Sequence, residues 1–368
     1  MRAFVLGSFR SGVPTGKIPR WPFRLDPSSR VAPTTYEAQL VVHEVRHQYG
    51  FTFDDDQVVE EWAYRWPHGR ASLLFHRSGD EVQFGTAERS RGRAVVGLLR
   101  KNALFLSTAA AANHHTLLPL YEWFQRNLLL ATTESREARQ SYTAHLLEDP
   151  GTQAAVLAML RAADLGLTGV RTRPIDPMFK ERMERAFRAF IGDETDDGFE
   201  MPPVGEFAFQ FTHRGSGAGE DVELEPHDES IGTLVWFGLV GPVLDSLANG
   251  SVFLADELDA SLHPALVAQL VRLYQSNVTN PRRAQLIFNA HDTSILGDGS
   301  EARLLGRDQI WFAEKSNDGS SRLYPLSDLD PRKAEAVERR YLAGRYGGLP
   351  ILTSGDFDAA VEQFASAH

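Results

Sequence analysis

Ser251-Val252-Phe253-Leu254-Ala255-Asp256-Glu257 is the stretch that decides the fold, because it is a short apolar run that ends in two acidic residues. A helical pattern with Pro264 in its first turn follows, and Gln285-Leu286-Ile287-Phe288-Asn289-Ala290 is a second apolar run. Strand, helix and strand in this order predict a βαβ unit. Two continuous apolar strands are typical of a parallel sheet that is covered on both faces.

The ends of these two predicted strands carry the candidate catalytic residues. Ligands of open parallel sheets bind at the carboxyl ends of the strands, so Asp256, Glu257 and His291 are expected at one rim. Asp256 suits a magnesium-bound water, since Mg²⁺ prefers hard oxygen ligands, and Glu257 suits polarising a water that attacks a γ-phosphate. The tetrapeptide Leu254-Ala255-Asp256-Glu257 alone is equally consistent with carboxylates that cap the next helix. A lone histidine at a strand end is more often structural than functional.

A third feature is a candidate anion site at the start of a helix. Glu229-Ser230-Ile231-Gly232-Thr233 precedes an apolar helical pattern, and Ser230 is the predicted N-cap. Small residues at such a position expose backbone N–H groups and the positive end of the helix dipole. Ser230 and Gly232 are therefore candidate nucleotide-binding residues.

Together these motifs resemble an ATPase head of the ABC type. Ser230-x-Gly232 resembles the ABC signature, and Asp256-Glu257 followed by Ala260-Ser261-Leu262-His263-Pro264 is similar to the Walker B motif and D-loop of SMC-like and RecF-like ATPases. Ala290-His291-Asp292 is similar to their switch histidine. The wider chain resembles the abortive-infection, RloA-like group of bacterial AAA-family ATPases in four further segments: Pro22–Asp26, Asn102–Ser107, Tyr121–Phe124 and Gly344–Gly347.

This resemblance implies ATP and Mg²⁺ as cofactors, and a head-to-tail homodimer whose two composite sites hydrolyse ATP to ADP and phosphate. It implies that Asp256 orders magnesium, Glu257 is the general base and His291 senses the γ-phosphate. Ser230 and Gly232 would bind nucleotide on the partner subunit. It also implies a role in anti-phage defence with an RloB-like effector protein. A cytoplasmic location is expected separately, from the lack of cysteine and the early polar residues of the N-terminus.

One part of the family pattern is missing, because the sequence contains no GxxxxGK[ST] phosphate loop. The nearest string, Gly12-Val13-Pro14-Thr15-Gly16-Lys17-Ile18, has three residues between its glycines where the loop has four, and it has Ile18 in place of the magnesium-binding hydroxyl. In the family, a segment like Met1–Leu6 lies on the helix after that loop. We therefore expect that the first strand and the loop precede Met1, and that ATP turnover by these 368 residues is severely impaired.

The expected fold class is α/β: a P-loop NTPase of the ABC-head kind with a mostly parallel sheet, an antiparallel β portion and a helical insertion, lacking the first strand and the P-loop. Composition suggests three parts: a β-rich part at 1–110, a helical subdomain at 111–204 and a catalytic half at 205–368. The second part is expected to end in a loop from Gly192 to Pro203. The last part is expected to contain hairpins around residues 214–219 and 317–319.

Bulk composition excludes several classes. The chain has no cysteine, so it has no disulfide framework or thiolate chemistry, and no apolar run approaches the length of a membrane span. A formal charge of −11 argues against a protein that coats nucleic acid through overall charge, although it leaves room for a local basic patch. Arg89-Ser90-Arg91-Gly92-Arg93 and Arg339-Arg340 are candidates for such a patch, and a solvated face is the commoner outcome.

Two rival functions compete with an ATPase. His43-Glu44-Val45-Arg46-His47 matches the HExxH motif of zinc hydrolases, but that chemistry needs a helix and the flanking residues alternate as in strands. The motif is expected to straddle a hairpin, and Phe53 occupies the position of the third ligand. The second rival is a non-catalytic scaffold that keeps the ATPase shape, which the missing phosphate loop makes a serious alternative.

Overall fold

The computed structural model describes residues 1–10, 13, 15–174, 178, 207–217, 220–297, 304–329, 336–350 and 354–366. The chain forms two compact units, Met1–His291 and Asp292–His368. The predicted loop from Gly192 to Pro203 lies outside the described residues. The expected part boundaries at 110 and 204 do not coincide with the division between the two units, and they stay predictions.

The first half of the larger unit is a five-stranded antiparallel meander. Its strands are β1 (Thr34–Val42), β2 (Val45–Phe53), β3 (Val58–Trp66), β4 (Ser72–Ser78) and β5 (Glu81–Phe84). Strands β1 and β2 confirm the strand-like alternation on both sides of residues 43–47, and β4 and β5 fit the β-rich part expected there. Strand β3 was not predicted because its inward positions include the buried Glu61, which breaks the apolar alternation.

Helices cover one face of this sheet. They are α1 (Arg2–Gly7), α3 (Arg89–Val96), α4 (Phe105–Ala111) and α5 (Leu118–Arg126), whereas α2 (Pro27–Val31) is a short surface helix. Phe4 of α1 contacts the rings of Phe51 and Phe53 at centroid distances of 5.4 and 5.2 Å. The inward-facing aromatic residues of β2 therefore form a single core with these helices.

A buried carboxylate ties this core together. Glu61, with no exposed surface, accepts hydrogen bonds from the backbone N–H groups of Phe105 and Leu106 at 2.5 and 2.9 Å. These N–H groups begin α4 and have no partner inside the helix. Tyr49 Oη donates to the same carboxylate at 3.0 Å, and Arg77 lies 3.8 Å away. Glu61 thus caps a helix that lacks a side-chain cap of its own.

The predicted βαβ unit is confirmed. Strand β10 (Val252–Ala255) pairs in parallel with β11 (Gln285–Phe288), and a helix, α9 (Pro264–Gln275), connects them. On the other side β10 pairs in parallel with β6 (Leu128–Ala131). Within the described residues this sheet has three strands, all parallel, and it lies beside a separate antiparallel meander, as the expected fold class has it. The short turns of the meander permit only antiparallel pairing, and that sheet is the larger one.

The expectation that both faces of the parallel sheet are covered is wrong for the described part of the chain. Leu130, Leu254 and Ile287 are neighbours in register on one face, and Leu130 and Ile287 are 54% and 56% exposed. Phe253 and Ala255 on the other face are buried. Parallel strands normally bury both faces and are therefore apolar on both. Because one face of this sheet is uncovered in the described residues, its apolar row is exposed to solvent.

The remaining elements of the larger unit are α6 (Arg136–Leu146), α7 (Pro150–Ala162), α8 (Ile231–Asn249) and a sheet of β7 (Leu167–Pro174), β8 (Phe207–Arg214) and β9 (Asp221–Leu224). The β8–β9 hairpin was predicted, whereas β6 and β7 interrupt the part that was expected to be helical. The expectation that no apolar run approaches the length of a membrane span is wrong by length and composition, because helix α8 has both, but 61% of its most apolar window is buried. This helix packs against α6 and α7, as a core helix does.

The smaller unit contains the predicted late hairpin, β12 (Trp311–Lys315) with β13 (Ser321–Pro325). Phe312 stacks on Tyr341 and Tyr346 at centroid distances of 5.2 and 5.6 Å. Two helices follow, α10 (Val337–Leu342) and α11 (Ser354–Ser366). The unit therefore has a small core of its own.

Candidate functional site at the end of the parallel sheet

The parallel sheet brings Asp256, Glu257 and His291 to one rim, as the sequence predicts. The backbone N–H of Asp256 still donates to Ala131 O at 2.9 Å, so this carboxylate lies where the ladder ends. Side-chain Nδ2 of Asn289 donates to Asp256 Oδ1 at 2.7 Å, and Asn289 Oδ1 accepts the backbone N–H of Glu257. One amide at the tip of β11 therefore bridges the two acidic residues at the tip of β10.

Glu257 turns the chain sharply after the strand. Its φ of 51° lies in the left-handed region, which is unusual for a residue with a side chain. Such outliers occur where the surrounding structure fixes the backbone, often at functional positions. Glu257 Oε1 lies 4.0 Å from His291 Nε2, and the two side chains are 50% and 86% exposed. Both groups are therefore accessible to a ligand and close enough to act on the same atom.

A loop from Leu258 to His263 fixes the position of His291. Asp259 Oδ2 accepts the backbone N–H of His291 at 2.8 Å, and Leu258 N donates to Asn289 O at 3.1 Å. Leu258 and Leu262 are buried and anchor the loop to the core. The loop thus holds the end of β11 against the end of β10 through side-chain and backbone contacts.

The predicted N-cap at Ser230 is confirmed, since its Oγ accepts the Thr233 N–H at 3.1 Å. Glu229, just before it, pairs with His213 of β8 at 2.5 Å. Gly232 lies against the loop that follows β10, because a β-carbon at 232 would be 2.7 Å from Ser261 O. The structure thus connects the start of α8 to the far end of the loop that follows Glu257.

The donor set at the rim fits a magnesium ion better than a tightly held transition metal. Asp256 and Glu257 are exposed carboxylates, and Mg²⁺ usually takes one or two such ligands together with waters and substrate phosphates. Among the described residues no group of three or more His, Asp or Glu side chains is arranged to hold a metal by itself. The string that comes nearest to a phosphate loop is not followed by a helix, since Lys17 to Arg24 lie in irregular backbone.

Comparison with known proteins identifies the family. The family described as "AAA domain, putative AbiEii toxin, Type IV TA system" matches residues 1–297. The chain belongs to this AAA-domain family. Among solved structures, an SMC head bound to the C-terminal winged-helix domain of ScpA is similar with a TM-score of 0.32 and 11% identity, over 78% of this chain and 76% of that one. No curated protein matches the sequence.

The HExxH string of this AAA domain is not a zinc motif. His43 and Glu44 form the two-residue turn between β1 and β2, with φ values of 47° and 64°, and Val42 pairs with Val45. His47 is on β2 and its Nδ1 lies 2.8 Å from Val45 O. A helix that would bring both histidines to one face is therefore absent at these residues, as the alternating flanks predict.

Sequence reasoning missed two residues of the candidate site, Asn289 and Asp259. Asn289 directly follows β11 and precedes Ala290, the residue at which the motif resemblance begins. Its position opposite Asp256 follows from the parallel register of Ala255 with Phe288. Asp259 lies in the predicted D-loop, and only the folded loop shows that its carboxylate contacts the His291 backbone.

Proposed function

We propose that this AAA domain is an ATP-hydrolysing head that works as a head-to-tail dimer. The observation that carries the proposal is the convergence of Asp256, Glu257 and His291 at one end of a parallel sheet, with Asn289 bridging the two strand tips. Family membership supports the class of the reaction.

Each residue is proposed to have one role. Asp256, oriented by Asn289, would hold Mg²⁺ through its carboxylate. When bound, Mg²⁺ supplies positive charge beside the phosphate oxygens. Glu257 would accept a proton from the attacking water at its carboxylate, and His291 would donate a hydrogen bond to a γ-phosphate oxygen. Ser230 and Gly232 would present the start of α8 to the nucleotide of the partner subunit.

The phosphate loop is proposed to come from a strand, loop and helix outside residues 1–368. Strand β11 is an edge strand within the described part of the chain, and the row of Leu130, Leu254 and Ile287 is an apolar face without cover. An added parallel strand with its crossover helix is the kind of element that covers such a sheet.

The test compares the 368-residue chain with a product that is extended at its N-terminus by the preceding reading frame. We expect the extended product to bind ATP by calorimetry and to hydrolyse it with Mg²⁺. Glu257→Gln should abolish hydrolysis and keep binding. Nucleotide binding by neither product would favour the scaffold alternative, and hydrolysis that survives Glu257→Gln would refute the assignment of the base.

A role in anti-phage defence with an RloB-like effector is proposed from the family resemblance alone. The experiment is phage plating on cells that carry the gene with its neighbours. Protection that is equal for wild type and Glu257→Gln would contradict an ATP-dependent role.

A further inference from the structure

Strand β3 has its aromatic side chains on the outer face of the meander. Trp62, Tyr64 and Trp66 alternate along this face and are half-exposed, whereas Glu61 and Ala63 face the core and are fully buried. A sheet with one solvated face normally carries apolar residues inward and polar residues outward. Here the outward positions from 62 to 66 are aromatic over about 13 Å of strand, at about 3.3 Å per residue. Two carboxylates share this face: Glu37 Oε2 accepts from Trp62 Nε1 at 3.1 Å, and Glu60 pairs with His76.

The neighbouring strand is shaped to this aromatic row. Gly50 of β2 lies opposite Trp62, and a β-carbon there would be 2.4 Å from the indole ring, so the indole lies flat over the backbone. The Arg46 guanidinium lies over the Trp66 ring, with its central carbon 4.2 Å from the ring centroid. We call Trp62, Tyr64, Trp66 and Arg46 the aromatic face.

Arginines gather at one end of the meander, on both sides of the sheet: Arg46 is on the outer side with the aromatic face, whereas α3 belongs to the helical layer on the inner side. Residues 43–44 and 67–71 form turns at the same end of the meander, because β1 to β5 pair in order and antiparallel. Helix α3 begins there too, since Arg65 Nη2 lies 3.5 Å from Glu88 Oε1. Arg91 Nη1 lies 2.8 Å from His115 Nε2. We call this group the basic end: Arg46, Arg65, Arg70, Arg89, Arg91 and Arg93.

The opposite end of the same sheet carries more acidic residues, one of which, Asp55, pairs with Arg20 at 2.5 Å. The β2–β3 turn contains Asp54, Asp55 and Asp56, and the β4–β5 turn contains Asp80 beside Glu81. At the basic end the acidic residues are Glu44 and Glu88, and His43, His68, His114 and His115 are the other titratable groups. In a chain of net charge −11, six arginines around one sheet end form a local positive field.

We propose that the aromatic face and the basic end form a binding surface for single-stranded nucleic acid. Unpaired bases stack on aromatic rings and on guanidinium planes, and arginines contact the phosphates. A duplex keeps its bases stacked inside, so it cannot use the ring faces. Stacking on sheet aromatics typically engages two or three bases, which suits three rings in a row. The proposal does not depend on ATP hydrolysis.

The experiment measures binding to the full 368-residue chain by fluorescence anisotropy, at low and at high salt. The labelled ligands are oligo-dT and oligo-rU of about 12 nucleotides and a duplex of equal length. We expect single strands to bind and the duplex to bind more weakly. Replacing both Tyr64 and Trp66 by Leu keeps apolar area but removes the ring faces, and should weaken binding by at least about fivefold. The matched control is Trp311→Leu, an exposed tryptophan of the smaller unit, which should have no effect.

A second pair of variants tests the charges. Arg89→Gln with Arg91→Gln should reduce the slope of log affinity against log salt by about 1 to 2. The control with equal charge is Arg339→Gln with Arg340→Gln, which should leave the slope unchanged. Circular dichroism and thermal melting establish that each variant folds. Absence of single-strand binding at low salt, a duplex bound as tightly, or equal losses in controls and variants would each overturn the proposal.

Discussion

Gly232 and Ser261 lie so close together that a β-carbon on Gly232 would be 2.7 Å from the Ser261 carbonyl oxygen. This contact joins the start of α8 to the loop that follows the acidic strand end. Ser261 itself has a left-handed φ of 65°, so its carbonyl is held in an unusual direction. Displacement of the helix start would therefore move the loop that carries Glu257 and Asp259.

Gly232→Ala should lower the free energy of unfolding by about 1–3 kcal/mol, because backbone must shift to admit the methyl group. The better helix propensity of alanine offsets up to about 1 kcal/mol of this. Chemical denaturation measures the change. Gly97→Ala is the control, since Gly97 has no neighbour within 4 Å of an added β-carbon and has an ordinary helical φ of −64°. A Gly232→Ala protein as stable as wild type would contradict the close contact.

Asn289→Ala should impair the site more than the fold. Asn289 is exposed, so loss of its hydrogen bonds should change the unfolding free energy by only about 1 kcal/mol. Both acidic residues lose their common partner, and misplaced catalytic groups can lower a rate about 100-fold. Both kcat and the melting temperature are measured for the N-terminally extended product with and without the substitution. If kcat is unchanged, the amide does not position the carboxylates.

Turnover by the 368-residue chain alone should be severely impaired, since no lysine-bearing phosphate loop is present in it. A coupled assay for phosphate release with Mg²⁺ and ATP checks this. The informative control is the Glu257→Gln chain. Activity that is present in the 368 residues and lost in that variant would show that the chain completes its own site.

Glu61→Gln should destabilise the larger unit by about 3 kcal/mol, because Arg77 is left buried without its countercharge and the start of α4 loses a charged acceptor. Tyr49→Phe removes only one donor to Glu61 and should cost about 1 kcal/mol. The control is Glu60→Gln on the outer face, whose pair with His76 is solvent-exposed and worth less. Equal effects of Glu60→Gln and Glu61→Gln would argue against the buried cap.

Stability should fall as the pH is lowered below the ordinary histidine pKa of 6.5. Burial lowers the pKa of His114, so the unfolded chain takes up a proton before the folded chain does. The stabilisation is therefore fully present above that pH and is lost as the pH falls towards the folded-state pKa. His47 has a pKa lowered by the same cause.

Melting temperatures between about pH 7.5 and pH 5.5 measure this dependence. His114→Leu should flatten the profile in part, whereas His68→Gln, at an exposed turn, should leave it unchanged. If the melting temperature depends on pH equally steeply in the wild type and in both variants, His114 does not cause the pH dependence.

Local pattern was sufficient for most strands and for the rim of the candidate site. The apolar runs around Leu254 and Ile287 predicted parallel strands, and parallel strands end at one edge, so Asp256 and His291 had to be neighbours. Strand β3 escaped prediction because Glu61 finds its partners in the backbone of α4, which is distant in sequence. The position of Leu130 beside Leu254 was equally hidden, since a four-residue strand between helices carries little pattern of its own.

The sequence by itself determined the acidic strand end, the N-cap at Ser230, the hairpins and the family resemblance, because these follow from local spacing and residue chemistry. Only the tertiary structure decided that Asn289 bridges the two strand tips, that Gly232 supports the Ser261 loop, and that β3 turns its aromatic side chains outward. Those relationships join residues far apart in the chain. They depend on register and packing, which local composition does not encode.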